Sequence, residues 1–206
     1  MTNLSKSKIL VLILMLLPIV QSCAEMKSRI SPKSSFKTSA LVKDSSQTSI
    51  QISAQAVILA KEYIKAGECQ KGIDVYNVEY RKYPHDEALV REYVNSIENI
   101  KSAADKALDK EDFASAGRKY DVLLKNYAHF KGFDKELSFN STHLNEKLYY
   151  CKKALFKQGF QEYRKDNLSR AIELWQDLFA IDPQNADIKE LLRTAKLQKK
   201  NLQEKE

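Results

Sequence analysis

"ALFKQGFQEYRKDNLSRAIELWQDLFAIDPQN", residues 154–185, contains two apolar periods of helical spacing on either side of a polar break, and a proline follows the second. Leu155, Gly159, Phe160 and Tyr163 recur along the first half, and Ala171, Ile172, Trp175 and Leu178 along the second. Apolar residues at three- and four-residue intervals mark one face of a helix. A proline cannot continue such a helix, so Pro183 marks the end of the second. The stretch therefore predicts a helix, a turn and a second helix.

Two earlier windows align with it. In the first, Leu59 and Ala60 are followed by Tyr63, Gly67, Tyr76 and Pro84; in the second, Ala103 and Ala104 are followed by Ala107, Ala116, Tyr120 and Ala128. Each window places a small residue 16 positions before a large aromatic: Ala60 to Tyr76, Ala104 to Tyr120, Gly159 to Trp175. A small residue lets two helices approach closely and the aromatic fills the space between them. This pattern resembles the tetratricopeptide repeat (TPR), a helix-turn-helix of about 34 residues whose units stack on one another. The windows depart from it at Gly72, where alanine is usual, and at Ala128, which replaces the terminal proline. The resemblance implies an all-α fold: a short TPR-like α-solenoid of about three helix-turn-helix units with a capping helix at the C-terminal end.

Tyr76, Tyr120 and Trp175 stand farther apart than one repeat period, so an insertion enters before the second unit and another, about twice as long, before the third. The first insertion, "HDEALVREYVNS", continues the helical spacing and predicts one long helix from about Asp86 to Asp109. The second breaks around Gly132, carries Phe130, Phe133 and Phe139, and restarts a helix with Ser141 or Thr142 as its cap. Those three rings are expected either to plug an irregular stack or to form a partner-binding loop, with the plug preferred. Beyond Pro183, Ile188, Leu191, Leu192, Ala195 and Leu197 share one side of an amphipathic helix. Such a helix caps the last pair of a stack, or else lies on a membrane surface or a partner.

At the other end, Lys6 and Lys8 precede an uninterrupted apolar run from Ile9 to Val20, and "VQSC" follows. A run this short behind a basic start reads as a secretory signal rather than a membrane span. "VQSC" resembles a bacterial lipobox, which implies cleavage before Cys23, diacylation of that residue and a mature chain starting there. Gln21 and Val20 depart from the usual motif, and ordinary cleavage after "SCA", giving a soluble secreted chain, is the competing expectation. Three segments result: a lipoprotein signal peptide over 1–22, a flexible Ser/Thr/Lys-rich tether over 23–50, and the helical domain over 51–206. Loss of 1–22 removes two lysines and no acid, taking the formal charge from +7 to +5 for the mature chain. That mild basic excess is scattered among many acids, which argues against a nucleic-acid partner.

Cys69 and Cys151 remain in a compartment that permits disulfides. A regular stack separates them by roughly a helix length of 15–20 Å, whereas a bridge needs Cα atoms within about 7 Å. Both are expected to be buried free thiols.

The search for chemistry yields no cofactor, no metal and no enzyme. His85, His129 and His143 are scattered, and neither a Cys-x-x-Cys pair nor a phosphate loop nor a nucleophile elbow occurs. The TPR resemblance instead implies a concave partner-binding face on the first helix of each unit. Its inward positions are Val57, Lys61 and Ile64, then Lys101, Asp105 and Leu108, then Phe156, Phe160 and Tyr163. The last three form an aromatic stripe at i, i+4, i+7, which reads either as binding anchors or as core. Ile58, Ser102 and Lys157 stand where chaperone-binding members carry a carboxylate clamp, so that partner class is not expected. The expected function is a membrane-anchored periplasmic adaptor for envelope proteins, bound through an extended peptide or helix. Ala24 rather than aspartate after Cys23 points, by the rule for such lipoproteins, to the outer membrane. The competing expectation is a soluble periplasmic or secreted chain, or a binding protein for a small ligand or glycan.

Overall fold

The computed structural model describes residues 54–204. The expected signal peptide, the expected lipidation at Cys23 and the expected tether lie outside the described residues.

All regular structure among the described residues is helical. Helix α1 covers residues 54–65, followed by α2 (Cys69–Lys82), α3 (Glu87–Asp109), α4 (Phe113–Asn126), α5 (Ser141–Arg164), α6 (Leu168–Ile181) and α7 (Ala186–Gln203). Two 3-10 turns, Tyr127–Phe130 and Asp134–Glu136, lie between α4 and α5. Short polar side chains set most of the helix starts by accepting from the otherwise unpaired first-turn amides. Asp86, Asp112, Asn140, Asn167 and Asn185 cap α3 to α7 in turn. The expected start of the long helix at Asp86 is met within one residue. The cap expected at Ser141 or Thr142 is instead Asn140, whose carboxamide oxygen accepts from His143 N at 2.9 Å. An extended residue before a hydroxyl pair lets the amide side chain reach the same amide first. Pro84 and Pro183 follow the ends of α2 and α6, as the restricted residue before a proline requires.

The three hairpins are closed by the same turn. Gly67, Glu111 and Asp166 adopt positive φ of 86°, 58° and 59°. In each, the following amide reaches back five residues: Glu68 N to Tyr63 O at 2.9 Å, Asp112 N to Ala107 O at 2.9 Å, Asn167 N to Glu162 O at 3.0 Å. This pairing satisfies the orphan carbonyls at a helix end. Gly67, Glu111 and Asp166 keep one constant separation from Tyr76, Tyr120 and Trp175, so the turn belongs to the same repeat as the aromatic.

The aromatics fill the hairpins as their spacing predicts. Tyr76, Tyr120 and Trp175 are buried, and so are Ala60, Ala104 and Gly159 across from them. A Cβ on Gly159 would run into the Trp175 indole, so the α5–α6 crossing is set by the absent side chain. Each helix from α2 to α7 packs on its sequence neighbour, and α4 also touches α2 and α6, which places it at the centre of the stack.

Phe130, Phe133 and Phe139 are buried, so the second insertion packs its rings rather than displaying them. Phe130 and Phe133 lie 5.9 and 5.2 Å from Tyr93, which stacks on Tyr76 at 4.7 Å, and Phe133 meets Tyr80 edge-on at 5.4 Å. Ser138 ties the end of the insertion to α3, donating from N and Oγ to the two Glu98 oxygens at 2.6 and 2.7 Å.

Both thiols are free and buried. Cys69 is the first residue of α2, and Cys151 lies mid-helix in α5.

Candidate partner-binding face

The nine expected contact residues fall on α1, α3 and α5, three per helix. None is buried. Lys61 and Phe156 are exposed and the other seven are half-buried. Val57, Ile64, Leu108, Phe160 and Tyr163 lean on the edge of the core, leaving one side of each ring or branch open.

On α3, Lys101 pairs with Asp105 at 2.8 Å, and Tyr120 Oη donates to the same carboxylate at 2.5 Å. Burial alone would raise the Asp105 carboxyl, but the hydrogen bonds from Lys101 and Tyr120 outweigh it and hold it below its ordinary value. Tyr120 is pushed well above its ordinary value by burial and by Asp105.

The α1 residues do not share a groove with the α3 triad. Lys61 and Ile64 face an earlier part of α3, across a groove of about 720 Å³ lined also by Lys65, Glu92, Asn95 and Asn99. The first insertion adds turns to the front of α3, so α1 meets these new turns. Lys61 Nζ approaches Glu92 at 2.5 Å, and that hydrogen bond raises the ammonium above its ordinary value. Asn95 and Asn99 stand one turn apart, so both carboxamides serve the same groove; the only signal for them in sequence was their spacing of four, which does not separate them from any polar helix face.

On α5 the stripe is graded from open to packed. Phe156 is 39% exposed and meets Phe160 at 4.8 Å; Phe160 meets Trp175 edge-on at 5.3 Å; Tyr163 lies 5.7 Å from Trp175 and donates from Oη to Gln198 Oε1 at 2.7 Å. Tyr149, two turns before Phe156 on the same face, is 64% exposed and extends the stripe beyond the expected residues. Aromatic rings with one open face bury large area on binding at small conformational cost.

A second cleft, of about 490 Å³, lies under the insertion, lined by Tyr127, Asp134, Leu137, Asn140 and His143. His143 Nε2 is buried without a hydrogen-bond partner. Among the described residues no cluster of three or more His, Cys, Asp or Glu side chains is placed to hold a metal ion. No protein-family model matches the chain, and no curated protein matches its sequence.

Proposed function

We propose that this chain is a lipid-anchored adaptor on the periplasmic side of an outer membrane, whose three hairpins form a short TPR-like α-solenoid. Cys23 carries the lipid, residues 25–50 tether the helical domain, and α1, α3 and α5 hold a segment of an envelope protein. The observation that carries this reading is the α5 stripe, in which Tyr149 and Phe156 stay open while Phe160 and Tyr163 are braced by Trp175. Braced rings lose little freedom on binding, and such anchors commonly contribute about 2 kcal/mol or more each. At the other end of the face, Asn95 and Asn99 offer paired donors and acceptors that suit the backbone of an extended peptide.

A photo-crosslinking residue at Phe156, and another at Asn99, in native membranes tests the reading. Both positions are expected to capture the same envelope protein, and capture from neither removes the adaptor. Cys23→Ser is expected to release the chain from the membrane fraction, and globomycin, which blocks lipoprotein signal peptidase, to make the uncleaved form accumulate. A mature chain that begins at Glu25 and is soluble in a periplasmic extract removes the anchor.

The polar lining of the cleft in the insertion, with Asp134, Asn140 and His143, supports a second reading, a binding protein for a small polar ligand or glycan. Thermal stabilisation by muropeptides, lost in His143→Phe, favours that reading over the adaptor.

A further inference from the structure

We infer that the groove between α6 and α7 is a docking site for an acidic, amphipathic segment of a partner protein. This surface is separate from the face on α1, α3 and α5 and does not depend on it. The groove measures about 520 Å³, and its α6 wall carries Gln176, half-buried Phe179 and exposed Ala180, facing buried Leu192 of α7. Its α7 wall carries Lys189, Arg193 and Lys196 at i, i+4, i+7, and no acidic residue lines it. Lys200 continues the row at i+11.

The cations are not equally available. Glu190 holds Arg193 through two hydrogen bonds of 2.9 and 2.6 Å, and Lys200 lies 3.5 Å from Glu204. Lys189 and Lys196 have no carboxylate within ion-pairing distance among the described residues. Both are exposed, so two ammonium groups flank the apolar Phe179 and Leu192 with no carboxylate among the residues that line the groove.

Charge and shape together select the occupant. The chain's own segment over 25–50 carries Lys27, Arg29, Lys33, Lys37 and Lys43 against Glu25 and Asp44, so its net positive charge is repelled. A planar anionic bilayer would touch the lysine tips and leave half-buried Phe179 and buried Leu192 uncovered. A peptide with carboxylates beside leucine-like side chains satisfies both, its charges speeding encounter and its apolar groups holding the complex.

The test uses the purified full chain and fluorescein-labelled peptides read by anisotropy. One peptide repeats Glu-Glu-Leu-Leu, a second replaces every Glu by Lys, and a third replaces every Leu by Ala. The first is expected to bind, the second not to bind, and the third to bind about tenfold more weakly. Lys189→Glu with Lys196→Glu is expected to abolish binding of the first peptide and to admit the second. Because both lysines are exposed, the melting temperature should not move, which separates lost docking from lost fold. Phe156→Ala should leave this binding intact, so failure of the α5 face and failure of this groove are told apart. The proposal is overturned if the Glu-Leu peptide fails to bind, if it binds equally well after the double reversal, or if the reversal abolishes only sedimentation with phosphatidylglycerol vesicles.

Discussion

Phe160 meets Trp175 edge-on, with ring centroids 5.3 Å apart and planes at 71°, so a residue expected to contact a partner also supports the largest side chain of the core. Half-buried, Phe160 should lose about 2 kcal/mol of stability on truncation to alanine, part of the cost of deleting a fully buried ring. Phe156 has no such second duty, and Phe156→Ala should cost under about 1 kcal/mol while weakening partner capture by about tenfold. Urea unfolding of both variants beside a capture assay separates them; a stability loss at Phe156 equal to that at Phe160 would place the whole stripe in the core.

Gly159 is expected to tolerate no side chain. Gly159→Ala drives a methyl group into the Trp175 indole, a rigid ring wedged between α5 and α6, and should cost about 1–3 kcal/mol. Gly132→Ala meets the hydroxyl end of Tyr80, whose ring is half-buried where the Trp175 indole is fully buried, and should cost less. Thermal unfolding of the pair checks the order, which reverses if Trp175 is free to move.

Glu111 and Asp166 occupy the left-handed conformation that Gly67 adopts without strain. Glu111→Gly and Asp166→Gly should each stabilise the chain by about 0.5–1 kcal/mol, and Gly67→Ala should destabilise it by about 1 kcal/mol. Calorimetry on the three variants decides, and a destabilised Glu111→Gly would show that the turn gains more from its side chain than it loses in strain.

The pH dependence has two limbs of opposite origin. Burial pushes Tyr93 upward and, with Asp105, Tyr120 also, while burial takes the Cys151 thiol up to about 11. Groups raised in the folded state contribute stability that is complete below their unfolded values, about 8.5 for cysteine and 10 for tyrosine, and is lost as pH rises through the folded values. Asp105 is depressed, so its contribution is complete above about 3.9 and is lost as pH falls through its folded value. Urea midpoints are therefore expected to be flat between these limits and to fall at both ends. Tyr120→Phe should shrink the alkaline limb and Asp105→Asn the acid limb; an unchanged acid limb in Asp105→Asn would discount the Lys101–Asp105–Tyr120 group.

The thiols should behave as two separate buried groups. In a Cys23→Ser chain without reductant, alkylation under native conditions at neutral pH should miss Cys151, whose thiol is buried and raised, and denaturation should give two additions by intact mass. No addition after denaturation would mean that Cys69 and Cys151 are bridged.

Much of this arrangement was legible because Ala60, Ala104 and Gly159 keep one fixed distance from Tyr76, Tyr120 and Trp175, and that distance is set by helix length and turn geometry. The turns themselves were partly hidden: Gly67 announces a left-handed residue and Asp166 is a weaker signal of one, whereas Glu111 adopts the same conformation with a side chain that gives none. The burial of Phe130 and Phe133 depends on Tyr80 and Tyr93, which lie far away in sequence, so composition alone left the insertion ambiguous. Asn95 and Asn99 were missed because the repeat register was carried onto the later turns of α3, not those the insertion adds in front of α1. The α6/α7 groove escaped because Lys189, Arg193 and Lys196 read as the wet side of a capping helix until Phe179 and Ala180 are placed beside them.

The wedge of phenylalanines couples α2 and α3 to the segment between α4 and α5. Here Phe130 and Phe133 interlock with Tyr80 and Tyr93 while Ser138 is tied to Glu98, so α2, α3 and the inserted segment form one stiff block. Loss of a ring from this wedge would therefore be felt in α2 and α3, far from it in sequence.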